Sequence, residues 1–192
     1  FVEKYNELRK NSGDNAAFCF VDGVHLHHNS MPAFGWFKRG QEASLKANSG
    51  RQRININGAI DIDTHQMSTD FTDSVNAQST IRLFRKLEKK YPRKQVIYII
   101  CDNARYYRSQ KVKEYLKTAR IEVVYLPPYS PNLNLIERLW KFFKKKIMYN
   151  RYYETVGEFT EASRSFFRKY ARWRPELKTL LAENFHILDS HA

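Results

Sequence analysis

Two aspartates lie inside or directly after strongly apolar segments of the chain. Asp22 interrupts the run AAFCFVDGVHL at positions 16–26, and Asp102 follows the run QVIYIIC at positions 95–101. An ionised carboxylate in such surroundings is costly unless it is paired or binds a cation. Because hard oxygen ligands suit Mg²⁺ or Mn²⁺, both residues are candidate metal ligands.

A third acid, Glu137, follows the proline-rich segment LPPYSPNLN at positions 126–134. Apolar residues recur at helical spacing beyond this segment, which predicts a helix over 135–147. Glu137 would then lie near the start of that helix, beside its apolar stripe, with Lys141 one turn farther along. The sequence therefore offers three carboxylates, two at predicted strands and one on a predicted helix, for a divalent-metal site.

Ordinary structural roles for the same residues stay open at this point. The Asp-Gly pair at 22–23 and the Asp-Asn pair at 102–103 are also common turn and helix-capping pairs. Glu137 and Lys141 are spaced as an i, i+4 ion pair on a solvated helix face. Spacing alone does not choose between these roles and metal binding.

Three histidines, at positions 25, 27 and 28, raise the alternative of a zinc site. No pair of cysteines and no fourth ligand at zinc spacing accompanies them in the sequence. We therefore interpret them as residues at the end of a strand and in the loop that follows it.

The elements that would position the acids alternate between strands and helices. Runs of apolar or alternating residues predict five strands, at 16–26, 51–62, 66–71, 95–101 and 121–126. Amphipathic stripes and prolines predict helices at 76–91, 109–119, 135–147, 155–173 and 175–184. This order favours a mixed α/β sheet with helices on both faces. If the strands that carry Asp22 and Asp102 are parallel neighbours, the two acids converge at the carboxyl ends, where ligand sites of open α/β sheets lie.

The chain is predicted to consist of a lead-in or linker helix over 1–15 and one catalytic domain over 16–192. Residues 30–50 are rich in Gly, Ser and Asn around the aromatic and basic centre FGWFKR. We interpret these residues as an excursion that leaves the sheet. The region 151–192 is predicted to add the C-terminal helices.

Lysine and arginine give the chain a net charge of +13. A surplus of this size favours a polyanionic partner such as DNA, since cationic side chains that neutralise phosphates release condensed counterions. Five basic residues near the acids are candidate DNA contacts: Arg105, Arg108, Lys141, Lys144 and Lys145. Each of them, taken alone, is also an ordinary solvated surface charge.

Two cysteines, Cys19 and Cys101, both lie in apolar runs, which is typical of buried thiols in a reducing compartment. No apolar stretch approaches the length needed to cross a bilayer. These features favour the cytosol, the nucleoid or the nucleus as the compartment, without a membrane partner.

Three segments together resemble a known family. They are FVDGVHL around Asp22, YIICDNARYYRSQKVKEYL around Asp102 and VYLPPYSPNLNLIERLWKFFKKKI around Glu137. In these segments the chain is similar to the catalytic core of mariner-like DDE transposases, most of all to their bacterial insertion-sequence branch. The separation of 35 positions between Asp102 and Glu137 is typical of members whose third acid is Glu. The resemblance implies a ribonuclease H-like (retroviral-integrase-like) fold with a mixed five-stranded sheet. It also implies that Asp22, Asp102 and Glu137 are the catalytic and metal-binding triad.

The resemblance further implies the chemistry. Such a domain uses two Mg²⁺ or Mn²⁺ ions to cleave DNA at transposon ends and to join the freed strand to target DNA. It implies cut-and-paste movement into a TA target, a homodimer in the DNA complex, a clamp loop within residues 30–50, and a preceding helix-turn-helix region. Two alternatives remain, namely another nuclease of the ribonuclease H-like fold and a catalytically inactive, transposase-derived DNA-binding protein.

Three residues depart from the family pattern. Gly23 stands where the family usually has an acid, Tyr107 where His is common, and Leu135 where Pro is usual. None of these departures removes a member of the triad. Because proline at the first turn is pre-organised for a helix, Leu135 weakens the signal that a helix starts there.

Overall fold

Five strands form one mixed sheet in the computed structural model, which describes residues 1–34, 38–40, 44–183 and 185. The strands are β1 (Ala16–His27), β2 (Arg53–Asp61), β3 (Met67–Thr72), β4 (Val96–Cys101) and β5 (Ile121–Tyr125). Their order across the sheet is β3-β2-β1-β4-β5. The pairs β1–β2 and β2–β3 are antiparallel, whereas β1–β4 and β4–β5 are parallel. The first three strands thus form an antiparallel meander, and the predicted mixed sheet is present with β1 at its centre.

Within the described residues, six α-helices accompany the sheet. They are α1 (Val2–Ser12), α2 (Ala77–Lys90), α3 (Gln110–Leu116), α4 (Leu135–Ile147), α5 (Val156–Arg168) and α6 (Arg174–Leu180). None of them is both long enough and apolar enough to span a membrane.

Three helices end earlier than the sequence pattern predicted. Helix α3 stops at Leu116 because the N–H of Lys117 bonds to carbonyls two and three residues back, which tightens the last turn. Helix α5 stops at Arg168, and a separate 3₁₀ helix, Tyr170–Trp173, replaces the predicted continuation. Helix α6 stops at Leu180.

Two regions of the predicted organisation are described only in part. In the segment 30–50, interpreted as a clamp loop, residues 35–37 and 41–43 lie outside the described residues. In the C-terminal region 151–192, residues 184 and 186–192 lie outside them. The clamp-loop interpretation and the domain division stay predictions.

Strand alternation gives the sheet two apolar faces, each covered by helices. On one face, Phe18 and Phe20 of β1 pack in a cluster with the apolar stripe of α4 and with Tyr5 of α1. On the other face, the alternate residues Cys19 and Val21 pack with α2 and α3. This double burial explains why the sequences of β1 and β4 are nearly continuous in apolar residues. Helix α1, predicted as a lead-in segment, contributes Tyr5 to the same core as the sheet.

Candidate active site

The register of the central parallel strands brings Asp22 and Asp102 to the same edge of the sheet. Phe20 of β1 lies opposite Ile100 of β4, so each aspartate lies two residues beyond this aligned pair. Neighbouring strands lie about 4.8 Å apart, and the charge of Asp102 contributes to the raised pKa of Asp22. The structure therefore brings these two acids together.

Helix α4 brings Glu137 to this edge as well. Asn134, which directly precedes the helix, is buried, and its Nδ2 donates a hydrogen bond of 3.5 Å to the carbonyl oxygen of Val21 in β1. The start of α4 is thereby attached to the strand residue that precedes Asp22. Asp102 and Glu137 line one cavity of about 400 Å³.

Trp140, one turn beyond Glu137, connects α4 directly to Asp22. Its indole Nε1–H donates a hydrogen bond of 3.2 Å to Oδ2 of Asp22. The ring has room for this contact because the residue opposite Asp22 in β2 is Gly58. A Cβ atom on Gly58 would lie 2.5 Å from Cη2 and 2.7 Å from Cζ2 of Trp140, far inside the usual contact distance between carbon atoms. The absence of a side chain at Gly58 is thus a condition for the Trp140–Asp22 bond.

Burial and neighbouring charges act on the acids together. Burial, together with the charges of Asp102 and Glu137, raises the pKa of Asp22 to about 7, although two N–H hydrogen bonds oppose the increase. Burial is also the main cause that raises the pKa of Glu137, and the positive charge of Lys141 opposes it. A carboxylate whose ionised form is disfavoured by burial and by two like charges is one that a bound cation would stabilise.

The donor chemistry of the three acids fits a divalent cation, because carboxylate oxygens suit Mg²⁺ and Mn²⁺. Among the described residues, however, no group of three or more His, Cys, Asp or Glu side chains is placed to hold a metal ion. Each aspartate instead accepts a backbone N–H: Asp22 Oδ1 from Gly23 at 2.7 Å, and Asp102 Oδ1 from Ala104 at 2.9 Å. These bonds occupy one oxygen of each carboxylate, and the metal-ligand assignment stays a prediction.

The structure distinguishes between the two ordinary roles considered for Asp102 and Asn103, a local turn and a cap of the next helix. Helix α3 is capped by Ser109, whose side chain accepts from the backbone of the first turn, so the capping interpretation is wrong. The bond from the Ala104 N–H to Asp102 is a local turn, which does not prevent a further role for the other carboxylate oxygen. Asn103 donates to the carbonyl oxygen of Leu126 at 2.6 Å and accepts from Arg108.

All three departures from the family pattern lie in packed surroundings. A Cβ atom on Gly23 would lie 2.9 Å from Cγ1 of Val75, so an acidic side chain does not fit there unless Val75 moves. Tyr107 is fully buried in the core shared with α2 and α3. Leu135 is fully buried in the first turn of α4, where it contributes packing in place of the rigidity of proline.

The five basic residues proposed as DNA contacts differ in their exposure to solvent and in their distance from the acids. Four of the five are exposed to solvent, namely Arg105, Arg108, Lys141 and Lys145. The charges of Lys141 and Lys144 are near enough to Glu137 to oppose the rise in its pKa. Arg108 is held beside the second acid through its bond to Asn103. DNA contact by these residues stays a prediction.

Two of the histidines have structural contacts in different parts of the chain. Nδ1 of His25 lies 2.6 Å from Oδ1 of Asn55. Nε2 of His28 lies 2.9 Å from the carbonyl oxygen of Tyr153, and its ring stacks on Phe159. These contacts agree with the interpretation of the histidines as strand-end and loop residues.

Sequence reasoning did not identify Asn134 and Trp140 as site residues. The pattern placed Trp140 in the apolar stripe of α4, and its ring is indeed buried. A buried indole N–H usually finds an acceptor, so the sequence signals a partner for Trp140 without identifying it as Asp22. For Asn134 the sequence gives only a helix-cap position, yet its side chain makes no bond to the helix and contacts β1 instead.

Comparison with known proteins gives matches over most of the chain. Residues 17–160 match the family model described as DDE superfamily endonuclease. A curated relative, the insertion element IS630 uncharacterized 39 kDa protein of Shigella sonnei, is 26% identical over 163 residues, which cover 84% of this chain and 47% of the relative. The chain thus spans about half the length of the curated relative that it matches.

Solved transposase structures have the same fold. The Mos1 transposase paired-end complex with left transposon end matches with a TM-score of 0.65 and 17% identity, over 96% of this chain and 60% of that chain. The Mos1 mariner paired end complex with Mn matches with a TM-score of 0.66 and 18% identity, over 94% and 57%. The predicted ribonuclease H-like fold, a mixed five-stranded sheet with helices on both faces, is confirmed.

Proposed function

The chain belongs to the DDE superfamily endonucleases, and from that membership we propose that it is the catalytic domain of a mariner-like DNA transposase. The domain cleaves DNA strands at the ends of a mobile element and then joins the freed 3′ ends to target DNA. One observation carries the proposal. The β1–β4 register aligns Asp22 with Asp102, and Glu137 lines a cavity together with Asp102 on the same edge of the sheet.

Asp22, Asp102 and Glu137 would together hold two Mg²⁺ or Mn²⁺ ions. Such ions supply the Lewis acidity that activates a water or a 3′-hydroxyl and that balances charge on the leaving oxygen. Mos1 complexes solved with Mn and with Mg support this choice of metal. The raised pKa of Asp22 supports it independently, since a cation would favour the ionised form.

Other residues of the chain prepare the site for a phosphate. The Trp140 N–H restrains Asp22 by holding its Oδ2. Lys141 and Lys144 reduce the negative potential around Glu137, which allows a DNA phosphate to approach three carboxylates. The exposed Arg105 and Arg108 would contact the backbone on the Asp102 side of the cavity.

The partners follow from the same proposal. DNA is the substrate, both as element end and as target, and two copies of the chain assemble on paired ends. Mos1 transposase forms a paired-end complex with a transposon end and a strand transfer complex, which supports this assembly. A TA target, a clamp loop within residues 30–50 and a nucleoid-associated, cytoplasmic location are proposed from the family resemblance.

Glu137→Gln tests the function, because glutamine keeps the size of the side chain and removes its charge. Metal-dependent cleavage should fall about a hundredfold or more, while the melting temperature and DNA affinity stay near those of the wild type. Glu114→Gln is the matched control, since Glu114 pairs with Lys117 on the surface of α3. Cleavage retained in the Glu137 variant would remove this residue from the active site.

A strand-transfer assay with pre-cut ends separates a transposase from another nuclease of the same fold. The wild-type chain should join a 3′-hydroxyl end to a second duplex when Mg²⁺ or Mn²⁺ is present. Cleavage without joining would favour the nuclease alternative, and neither activity would favour an inactive DNA-binding protein.

A further inference from the structure

Tyr129 combines full exposure with an unusual backbone conformation beside the acids. Its relative exposure is 103%, so the ring packs against no other part of the chain. Its φ is +56°, in the left-handed region that residues other than glycine enter uncommonly. The residue lines the same cavity as Asp102 and Glu137. A large apolar ring is therefore held in solvent at the mouth of the proposed active site.

The loop around Tyr129 maintains this conformation. Prolines precede it at positions 127 and 128 and follow it at 131, which fixes several φ angles of the loop. The hydroxyl of Ser130 donates to the carbonyl oxygen of Pro128 at 3.2 Å. The carbonyl oxygen of Ser130 in turn accepts the N–H of Leu133 at 3.1 Å. A left-handed backbone at a bulky residue is strained and persists where the surrounding structure imposes it, which is often the case at ligand clamps.

The ligand that suits such a ring is a planar group close to a phosphate. The acids mark the place of the reacting phosphate, and Tyr129 is one of the residues that line the same cavity. A base inside a duplex has both faces covered by its neighbours, so only an unpaired base offers a face to an aromatic side chain. Stacking of this kind tolerates every base type, because every base has an aromatic face.

We propose that Tyr129 is a stacking platform for an unpaired base next to the phosphate that reacts at the three acids. This inference rests on the proposed function, since it takes DNA as the substrate of the cavity. It adds that the enzyme holds DNA there in a locally unpaired form. It also identifies a contact that is independent of charge, in contrast to the lysines and arginines.

The probe is a duplex of random sequence with a three-nucleotide overhang, in which 2-aminopurine is the first unpaired base. A fully paired duplex with internal 2-aminopurine serves as the control probe. Wild-type chain with Mg²⁺ should quench the overhang probe and leave the paired probe nearly unchanged, with intact DNA verified on a denaturing gel. Tyr129→Ala should abolish the quenching and bind the overhang probe roughly tenfold more weakly, which corresponds to about 1.4 kcal/mol.

Two further variants test whether the aromatic ring of Tyr129 is the cause of the quenching. Tyr129→Phe keeps the ring and should behave like the wild type. Tyr149→Ala removes a partly exposed tyrosine just beyond the C-terminal end of α4, whereas Glu137 lies in the first turn of that helix. This variant should also behave like the wild type. Because the ring of Tyr129 is fully exposed, its removal should leave the melting temperature unchanged.

Several results would overturn the inference. Quenching that survives in Tyr129→Ala excludes stacking, and so does a defect of equal size in Tyr129→Phe or in Tyr149→Ala. Loss of self-association in Tyr129→Ala with quenching unchanged would assign the ring to a protein contact instead. If quenching depends on Tyr129 but the wild type cleaves no DNA, stacking holds and the proposed function fails. If metal-dependent cleavage occurs without quenching, the proposed function holds and stacking fails.

Discussion

Replacement of Asp22 by asparagine tests whether the charge of this residue destabilises the metal-free fold. The pKa of Asp22 is about 7, compared with an ordinary value of 3.8, so the folded chain binds this proton more tightly than the unfolded chain. The contribution of Asp22 to the free energy of unfolding is therefore fully present below about pH 4. It decreases as the pH rises from 4 to 7 and is lost above pH 7. Since each pH unit corresponds to about 1.4 kcal/mol, the loss is at most about 4 kcal/mol.

Asparagine removes this loss but also removes one acceptor. The N–H groups of Gly23 and Trp140 bond to different oxygens of Asp22, and an amide has only one oxygen. One donor is therefore left without its partner, which costs about 1–3 kcal/mol. We expect Asp22→Asn to be about 2 kcal/mol more stable than the wild type at pH 8 and about as much less stable at pH 4.

The assay is urea unfolding of both proteins at pH 4, 6 and 8 in the presence of a chelator. A difference in unfolding free energy that reverses its sign across this range supports the reasoning, and a difference that stays constant refutes it. A second series at pH 8 adds Mg²⁺. At a Mg²⁺ concentration ten times the dissociation constant, the wild type should gain about 1.4 kcal/mol. Asp22→Asn should gain less, since it lacks the carboxylate charge.

The remaining predictions concern the packing of α4 and the DNA. Gly58→Ala should lower the unfolding free energy by about 1–3 kcal/mol, because the new Cβ would lie 2.5 Å from the buried Trp140 ring. Gly157→Ala is the control, since its nearest neighbour would lie 3.7 Å away, and equal stability of the two variants in urea unfolding would contradict the packing argument. DNA affinity should fall roughly a thousandfold between 50 and 200 mM salt if about six phosphates are bound, without preference between an element's terminal repeat and a scrambled duplex. A preference above about tenfold in that titration would mean that this domain reads sequence itself.

The parts of the fold that the sequence predicted are those that depend on periodicity. Continuous apolar runs identified β1 and β4 because both sheet faces are covered, and the spacing of Ile136, Trp140 and Phe143 identified the buried stripe of α4. The convergence of Asp22 and Asp102 followed from strand order, since parallel neighbours end on the same edge.

The parts that the sequence did not predict depend on single contacts over long separations. The bond from Trp140 to Asp22 spans 118 positions, and the bond from Asn134 to Val21 spans 113. No periodic pattern encodes such a contact, because it depends on how closely α4 approaches β2 at Gly58. Helix ends were also mispredicted, since α3 and α5 stop where a few local hydrogen bonds favour a tighter turn.

The edge of the sheet that carries the acids is also where the chain departs from the rules that stabilise a fold. Asn57, opposite Gly23 in the β1–β2 register, is fully buried, and its amide makes no hydrogen bond within the described residues. Asp22 would ionise against burial, and Tyr129 holds a strained backbone with an exposed ring. Each feature costs stability in the chain alone, and two of them have a proposed ligand that would offset the cost, a cation for Asp22 and a base for Tyr129. The rules of burial, hydrogen bonding and backbone conformation that stabilise a fold are expected to be broken at functional sites. The coincidence of these failures with the predicted triad therefore supports this edge as the active site, on grounds independent of the family match.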